Sequence, residues 1–147
     1  MRFYEATEFD LNGVADLFNT YRMFYDQPAD EAAARDFIES RLRVKDSVIF
    51  VATDQTGYKG FVQLYPTYSS ISMKKAWILN DLYVIESARK LGIAQRLIEL
   101  AVELCVETDA AYLTLETAPT NEKAKQLYQK NGFVCDTTFL HYQRTTK

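Results

Sequence analysis

The chain has 147 residues, the length of one ordinary domain, with 48% hydrophobic and 25% charged residues and a formal net charge of −3. That profile is globular, and its negative sign leaves no case for non-specific nucleic-acid binding. No apolar run approaches the roughly 20 residues that a membrane-crossing helix needs, and the opening Met-Arg-Phe-Tyr-Glu-Ala holds no signal-peptide core, so one domain over 1–147 in a cytoplasmic setting is expected, with no nucleic-acid or membrane partner.

In chain order, 2–6 alternates enough to be a first strand. Thr7 and Asp10 are each able to start a helix. Leu11, Val14, Leu17, Phe18 and Tyr21 recur at helical spacing up to about Tyr25, and Asp26-Gln27-Pro28 ends that helix because proline cannot continue it. Residues 30–44 read as a second helix, with Ala33, Phe37, Ile38 and Leu42 inward and Glu31, Arg35, Glu39 and Arg43 outward. The apolar run at 47–53 is a strand, Asp54-Gln55-Thr56-Gly57 a hairpin turn, and 58–65 the returning strand. Residues 66–72 read as a polar loop or an extension of that hairpin.

Residues 76–84 form the next strand. After the polar turn 85–90 the apolar spacing becomes helical: Ala94, Leu97, Ile98, Ala101 and Cys105 mark a helix over about 91–108, with Gly92 at its start. A helix start without bulky side chains brings free backbone N–H groups against a phosphate. A strand follows at 112–117, with Leu113 and Leu115 on one face and Thr114 and Glu116 on the other. Then come a turn at 118–121, where Thr120 or Asn121 is the N-cap, a short helix over 122–130 closed by Asn131-Gly132, and a final strand pair at 133–136 and 139–144. The order β-α-α-β-β-β-α-β-α-β-β is a mixed α/β layer structure. One helix between the strands at 77–84 and 112–117 makes a crossover with parallel strands, whose ligands bind at the carboxyl ends. The turns 89–95 and 118–121 both lie at that end.

Cys105 and Cys135 read as free thiols, no spacing suggests a metal site, and His141 is the only histidine. Spacing alone makes Tyr128 a core aromatic and Asp81, next to Asn80 on one strand, a residue of the opposite face.

Two motifs on these elements, Arg89-Lys90-Leu91-Gly92-Ile93-Ala94 after Asn80-Asp81-Leu82-Tyr83-Val84, and Asn121, Ala124, Leu127-Tyr128, Gly132-Phe133, resemble the two signatures of the GNAT superfamily of N-acetyltransferases. The resemblance implies a mixed central sheet of six or seven strands with helices on both faces. It implies transfer of an acetyl group from acetyl-CoA to an amine. Leu82, Tyr83 and Val84 would pair by their backbone with the pantetheine arm. The backbone of Lys90, Leu91, Gly92, Ile93, Ala94 and Gln95 would hold the pyrophosphate, with charge from Arg89 or Lys90, and Asn121 with Ala124 would complete the cofactor site. Tyr128 would protonate the leaving thiolate. Asn80 stands where polyamine-acetylating relatives carry a carboxylate and is no base. Glu116 is then the candidate that takes the ammonium proton directly or through water, or only binds the ammonium. Arg22, Tyr25, Asp26 and Asn80 are expected substrate contacts, with 65–70 another wall. The pattern resembles the diamine and histone or polyamine branch, with a small-molecule amine as acceptor. The other readings are a non-catalytic acyl-CoA-binding sensor or interaction domain, and transfer to a protein or peptide amine. A homodimer through a final strand is the expected assembly.

Overall fold

Five strands, β1 (Arg2–Glu5), β2 (Val48–Asp54), β3 (Gly57–Ser69), β4 (Lys74–Val84) and β5 (Leu113–Thr114), lie side by side in chain order in a computed structural model that describes residues 1–147. The first four pair antiparallel, and β4 and β5 pair parallel. Helices α1 (Leu11–Phe24), α2 (Glu31–Val44) and α3 (Ile93–Glu107) accompany them, and α4 spans Glu122–Lys130. The chain divides into two compact units, Met1–Glu116 and Thr117–Lys147. The first holds the whole sheet with α1 to α3, and the second holds α4. No helix is long and apolar enough to cross a membrane.

Strand alternation sends Ile49 and Val51 of β2, Phe61 of β3 and Tyr83 of β4 to one face, where they pack against Val14, Leu17 and Phe18 of α1 and Ala34 and Ile38 of α2. The other face meets α3, whose Leu97, Ile98 and Ala101 are fully buried. The approach is close at Gly60. A Cβ there would stand 2.8 Å from the Tyr83 carbonyl oxygen and 3.3 Å from a methyl of Ile93. The helices thus cover both faces, as the sequence predicts. Along α2, Ala34 rather than Ala33 is buried, and Phe37 is half out of the core but stacks on Phe18 at 5.3 Å between centroids.

The sheet has five strands, not six or seven. Residues 133–136 and 139–144 form no strand. Asp136 accepts a hydrogen bond from the Thr138 backbone N–H at 2.8 Å, a local turn that competes with a ladder. Phe139 and Leu140 are adjacent apolar residues and give no clean alternation, and an isolated hairpin is marginal in water. The final strand expected to serve a dimer is therefore absent. β5 is shorter than the predicted 112–117, because β4 carries a bulge just past Ile78, the last residue paired to β5, and a bulge bends its strand away from a straight neighbour.

β3 runs on through Pro66, where a polar loop was one of the two readings. β2 accompanies β3 only as far as the Val48–Leu64 pair, so from Tyr65 onward β3 has β4 on one side alone. Pro66 stands opposite Trp77, whose N–H points to Tyr112 O of the β5 segment at 3.1 Å. That pair exchanges no hydrogen bonds, so the proline nitrogen faces the open edge, the one place in a sheet where a missing N–H costs nothing.

Candidate active site

The bulge in β4 falls on Asn80. Gln63 of β3 stands opposite Asp81 and the next residue, Leu64, opposite Leu79, so Asn80 is the extra residue. Bulging turns two successive side chains to one side. Asn80 Nδ2 donates to Asp81 Oδ1 at 3.1 Å, which corrects the opposite-face expectation for Asp81. The other oxygen, Oδ2, accepts from Gln63 Nε2 at 2.8 Å, and Gln63 Oε1 accepts from the Ser47 hydroxyl at 3.0 Å. Gln63 and Asp81 are 0% and 5% exposed, whereas Asn80 is exposed. Buried polar groups are tolerated only when bonded in this way. Nearby, burial and then the Asp81 charge push the Tyr65 phenol up to about 12.

Past Ile78, β4 is paired to β3 alone, and residues 79–84 have no strand on the side where β5 began. Leu82, Tyr83 and Val84 lie on this stretch. The Tyr83 side chain is buried against α1, so only its backbone faces the open edge's chemistry. The chain then passes through a short 3₁₀ turn, Glu86–Ala88, into a second turn where Lys90 and Gly92 both take left-handed conformations (φ 65° and 79°) before Ile93 starts α3. No side chain caps this helix. Arg96 N–H is the first to reach a helical carbonyl, Gly92 O at 3.1 Å, and the N–H groups of Gly92, Ile93 and Ala94 donate to nothing in the chain. Uncapped N–H groups with the positive end of the helix dipole form an anion site, and α3 is long enough to supply that dipole. Leu91 is exposed and Gln95 half-buried beside it.

Arg89 and Lys90, read as alternative cations of this turn, divide the work. Arg89 Nε donates to Val84 O at 3.1 Å, and its guanidinium lies over the rings of Phe24 (5.3 Å) and Tyr83 (5.9 Å). Lys90 is exposed and bonds to nothing in the chain. Arg89 thereby ties the end of β4 to the end of α1. There Tyr25 packs on Tyr21 (5.1 Å) and Phe24 (5.3 Å), and Tyr21 packs on Tyr83 (6.0 Å). Arg22 is half-buried on this last turn, and Asp26 follows with φ 63°. The expected acceptor contacts Arg22, Tyr25 and Asp26 therefore sit on a helix end anchored to β4 by aromatic rings. Glu116 closes the first unit, exposed and beyond the paired part of β5. Cys105 is half-buried, and burial raises its thiol above the usual value, which disfavours a nucleophilic thiolate.

In the second unit Asn121 is the N-cap of α4. Its side-chain oxygen accepts from the Ala124 N–H at 3.2 Å, so that oxygen is occupied and the amide NH2 is the group left for a ligand. Tyr128 packs on Phe133 at 5.8 Å, and Gly132 takes φ 88° where the helix ends.

The sequence profile of the Acetyltransferase (GNAT) family matches residues 13–133. The chain belongs to this family. GNAT membership is supported at full length. The chain is 44% identical over 142 residues to an uncharacterized N-acetyltransferase, YhfO, of Bacillus subtilis (strain 168), covering 97% of this chain and 95% of that one. It is 30% identical over 134 residues to a probable acetyltransferase of Haemophilus influenzae, covering 90% of each. A crystal structure of a probable acetyltransferase superposes with a TM-score of 0.95 at 40% identity, over 100% of this chain and 99% of that one. This GNAT chain is an acetyltransferase with a five-stranded mixed sheet and four helices.

Sequence reasoning missed Gln63, Ser47 and Phe24 as parts of the site, whereas Tyr65 falls within the 65–70 wall expected from the sequence. The signal was available for one of them: Gln63 interrupts the apolar run Phe61-Val62-Gln63-Leu64, and a polar residue there needs a buried partner.

Proposed function

We propose that the protein transfers an acetyl group from acetyl-CoA directly to a primary amine of a small molecule within a ternary complex. One observation carries the donor half: an uncapped helix start behind a left-handed glycine, at the end of a strand whose edge is open from residue 79 to 84. The residues present fit the cofactor. The N–H groups of Gly92, Ile93 and Ala94 hold the pyrophosphate, the neighbouring backbone from Lys90 to Gln95 shapes the turn around it, and Lys90 adds a mobile positive charge. The backbone of Leu82 to Val84 offers its unpaired groups to the amides of the pantetheine arm. In the second unit, the family resemblance assigns the Asn121 amide NH2 to the cofactor as well. Acetyl-CoA supplies the activated thioester.

On this reading the Tyr128 hydroxyl gives its proton to the departing thiolate. Glu116 receives the ammonium proton or holds the ammonium by charge. Arg22, Tyr25, Asp26 and Asn80 line the acceptor side. Asp26, Asp81 and Glu116 favour a cation, in keeping with a diamine- or polyamine-like acceptor.

The test is a thiol-release assay with acetyl-CoA and a panel of alkyl diamines, polyamines, amino acids and an aminoglycoside, run beside a thermal-shift titration with acetyl-CoA. Acetyl-CoA is expected to raise Tm, and at least one amine to release thiol. Tyr128→Phe is expected to lower kcat by about 10²-fold or more while keeping the acetyl-CoA shift. No Tm shift at millimolar acetyl-CoA would sink the donor assignment, and an unaltered kcat in Tyr128→Phe across pH would remove it as the acid.

A further inference from the structure

We infer that Asp81 is a positioning residue: it fixes the Asn80 amide with its carbonyl oxygen turned outward, as the hydrogen-bond acceptor for an N–H of a cationic primary amine. This rests on the amine-acceptor reading above and adds the device that receives the amine.

The direction follows from donor and acceptor chemistry. A carboxylate accepts and does not donate. The part of Asn80 that faces Asp81 Oδ1 at 3.1 Å is therefore its NH2 group, and its carbonyl oxygen points away from Asp81. Gln63 is fixed in the same way on the other oxygen: its NH2 faces Asp81 Oδ2 at 2.8 Å, and its own oxygen accepts from the Ser47 hydroxyl at 3.0 Å. Donation thus runs from Ser47 through Gln63 to Asp81, and a second branch converges on Asp81 from Asn80. At 5% exposure and with an amide on each oxygen, Asp81 has no face left for a ligand. Asn80 is exposed, and its oxygen has no partner in the chain.

The bulge makes this geometry available. In a regular strand Asn80 and Asp81 would point to opposite faces, and no side-chain bond between them would form. A hydrogen bond from NH2 to a carboxylate polarises the amide and strengthens its oxygen as an acceptor. The partner that gains most is a charged N–H. Asn80 takes no proton from it, so the device acts on acceptor binding and orientation and leaves deprotonation to another group.

The experiment compares wild type, Asn80→Leu, Asp81→Asn and the double exchange Asn80→Asp with Asp81→Asn. The amine that releases most thiol from the panel above is the probe. Asp81→Asn is expected to raise the amine KM about tenfold or more, as the loss of one charge-assisted bond predicts, with the acetyl-CoA KM unchanged. Asn80→Leu is expected to do the same. In the double exchange the new amide at 81 donates to the new carboxylate at 80, Gln63 keeps an oxygen to bond, and one oxygen again points outward. The amine KM is expected to return toward wild type. A fold-supporting role alone would not be repaired by this exchange. An amine KM unmoved by Asp81→Asn, or KM values for both substrates that rise together and stay high in the double exchange, overturns the inference.

Positioning is also read without turnover. By ¹⁵N NMR one Asn80 side-chain N–H is expected to be shifted downfield and slow to exchange in wild type, and ordinary in Asp81→Asn. A freely exchanging Asn80 amide in wild type overturns the inference. A wild-type protein that shows the protected amide but releases thiol with none of the amines fails the amine-acceptor reading and with it the ligand assigned to Asn80.

Discussion

α2 and α3 are nearly equal in length and begin in opposite ways. At the start of α2, Asp30 accepts from the Ala33 N–H at 3.1 Å, while its own N–H donates to Asn19 of α1 at 3.0 Å. At the start of α3, Gly92 has no side chain to offer, and the first N–H groups remain free. A capping side chain contributes about 1 kcal/mol relative to Ala, and a Gly in its place, as in α3, forgoes roughly a few tenths of that. Burial makes that up, since Leu97 and Ile98 on its inner face are fully enclosed and each such large aliphatic side chain contributes roughly 1.5–3 kcal/mol. The lesson is that a helix end can be kept open for a ligand when its middle is well packed.

The largest effect on that contrast is expected from Gly92→Ala. A Cβ at this position meets nothing within 4 Å, so only the backbone matters. Holding φ at 79° with an L side chain costs roughly 1–2 kcal/mol, and relaxing it re-aims the free N–H groups. The acetyl-CoA-induced rise in Tm is expected to shrink or vanish, while the cofactor-free protein still unfolds cooperatively. A full-sized cofactor shift in this variant would mean that the open start is not the binding device.

Asp30→Ala is expected to do the reverse. It should lower unfolding free energy by about 1 kcal/mol in urea titrations and leave the acetyl-CoA shift intact. Loss of the shift here would erase the distinction between the two helix starts.

The smallest effect is a pH slope at the lead-in to α1. Burial alone would raise the Asp10 pKa, but hydrogen bonds from Tyr58, the Thr7 backbone and Tyr4, with the charge of Arg2, outweigh it and hold the carboxyl below its usual value. Tyr58 OH and Tyr4 OH reach one oxygen at 2.6 and 2.8 Å, and the Thr7 N–H reaches the other at 3.0 Å. A depressed carboxylate pKa contributes stability above the unfolded value of about 3.9, and that contribution is lost as the pH falls through the folded value. The gap in urea midpoint between wild type and Asp10→Asn should be full at neutral pH and close as acid is added. A gap that stays constant would assign the role of Asp10 to shape alone.

Local signals were readable in the chain, and pairwise ones were not. Gly92 behind the apolar run of β4 marked the turn into α3, because glycine before a helical spacing is a one-dimensional pattern. Asn121 and Gly132 marked the ends of α4 for the same reason. The bulge at Asn80 was invisible, since it exists only in the register against Gln63 and Leu64. The reach of Arg89 to Val84 and Phe24 was equally hidden, because a guanidinium after a turn reads as solvent-facing until the neighbouring rings are known. The strands expected at 133–144 failed from the opposite cause: β-rich composition is a requirement for a ladder and does not supply its partner.

Pro66 has a consequence for life in a crowded solution. The outer edge of β3 beyond Tyr65 is a row of main-chain groups with no neighbour in the sheet, and Tyr68 beside it is 73% exposed. Such an edge templates the addition of strands from other molecules and hence aggregation. A ring nitrogen without hydrogen, placed on that edge, removes the donor such an addition would begin from and protects the protein's solubility.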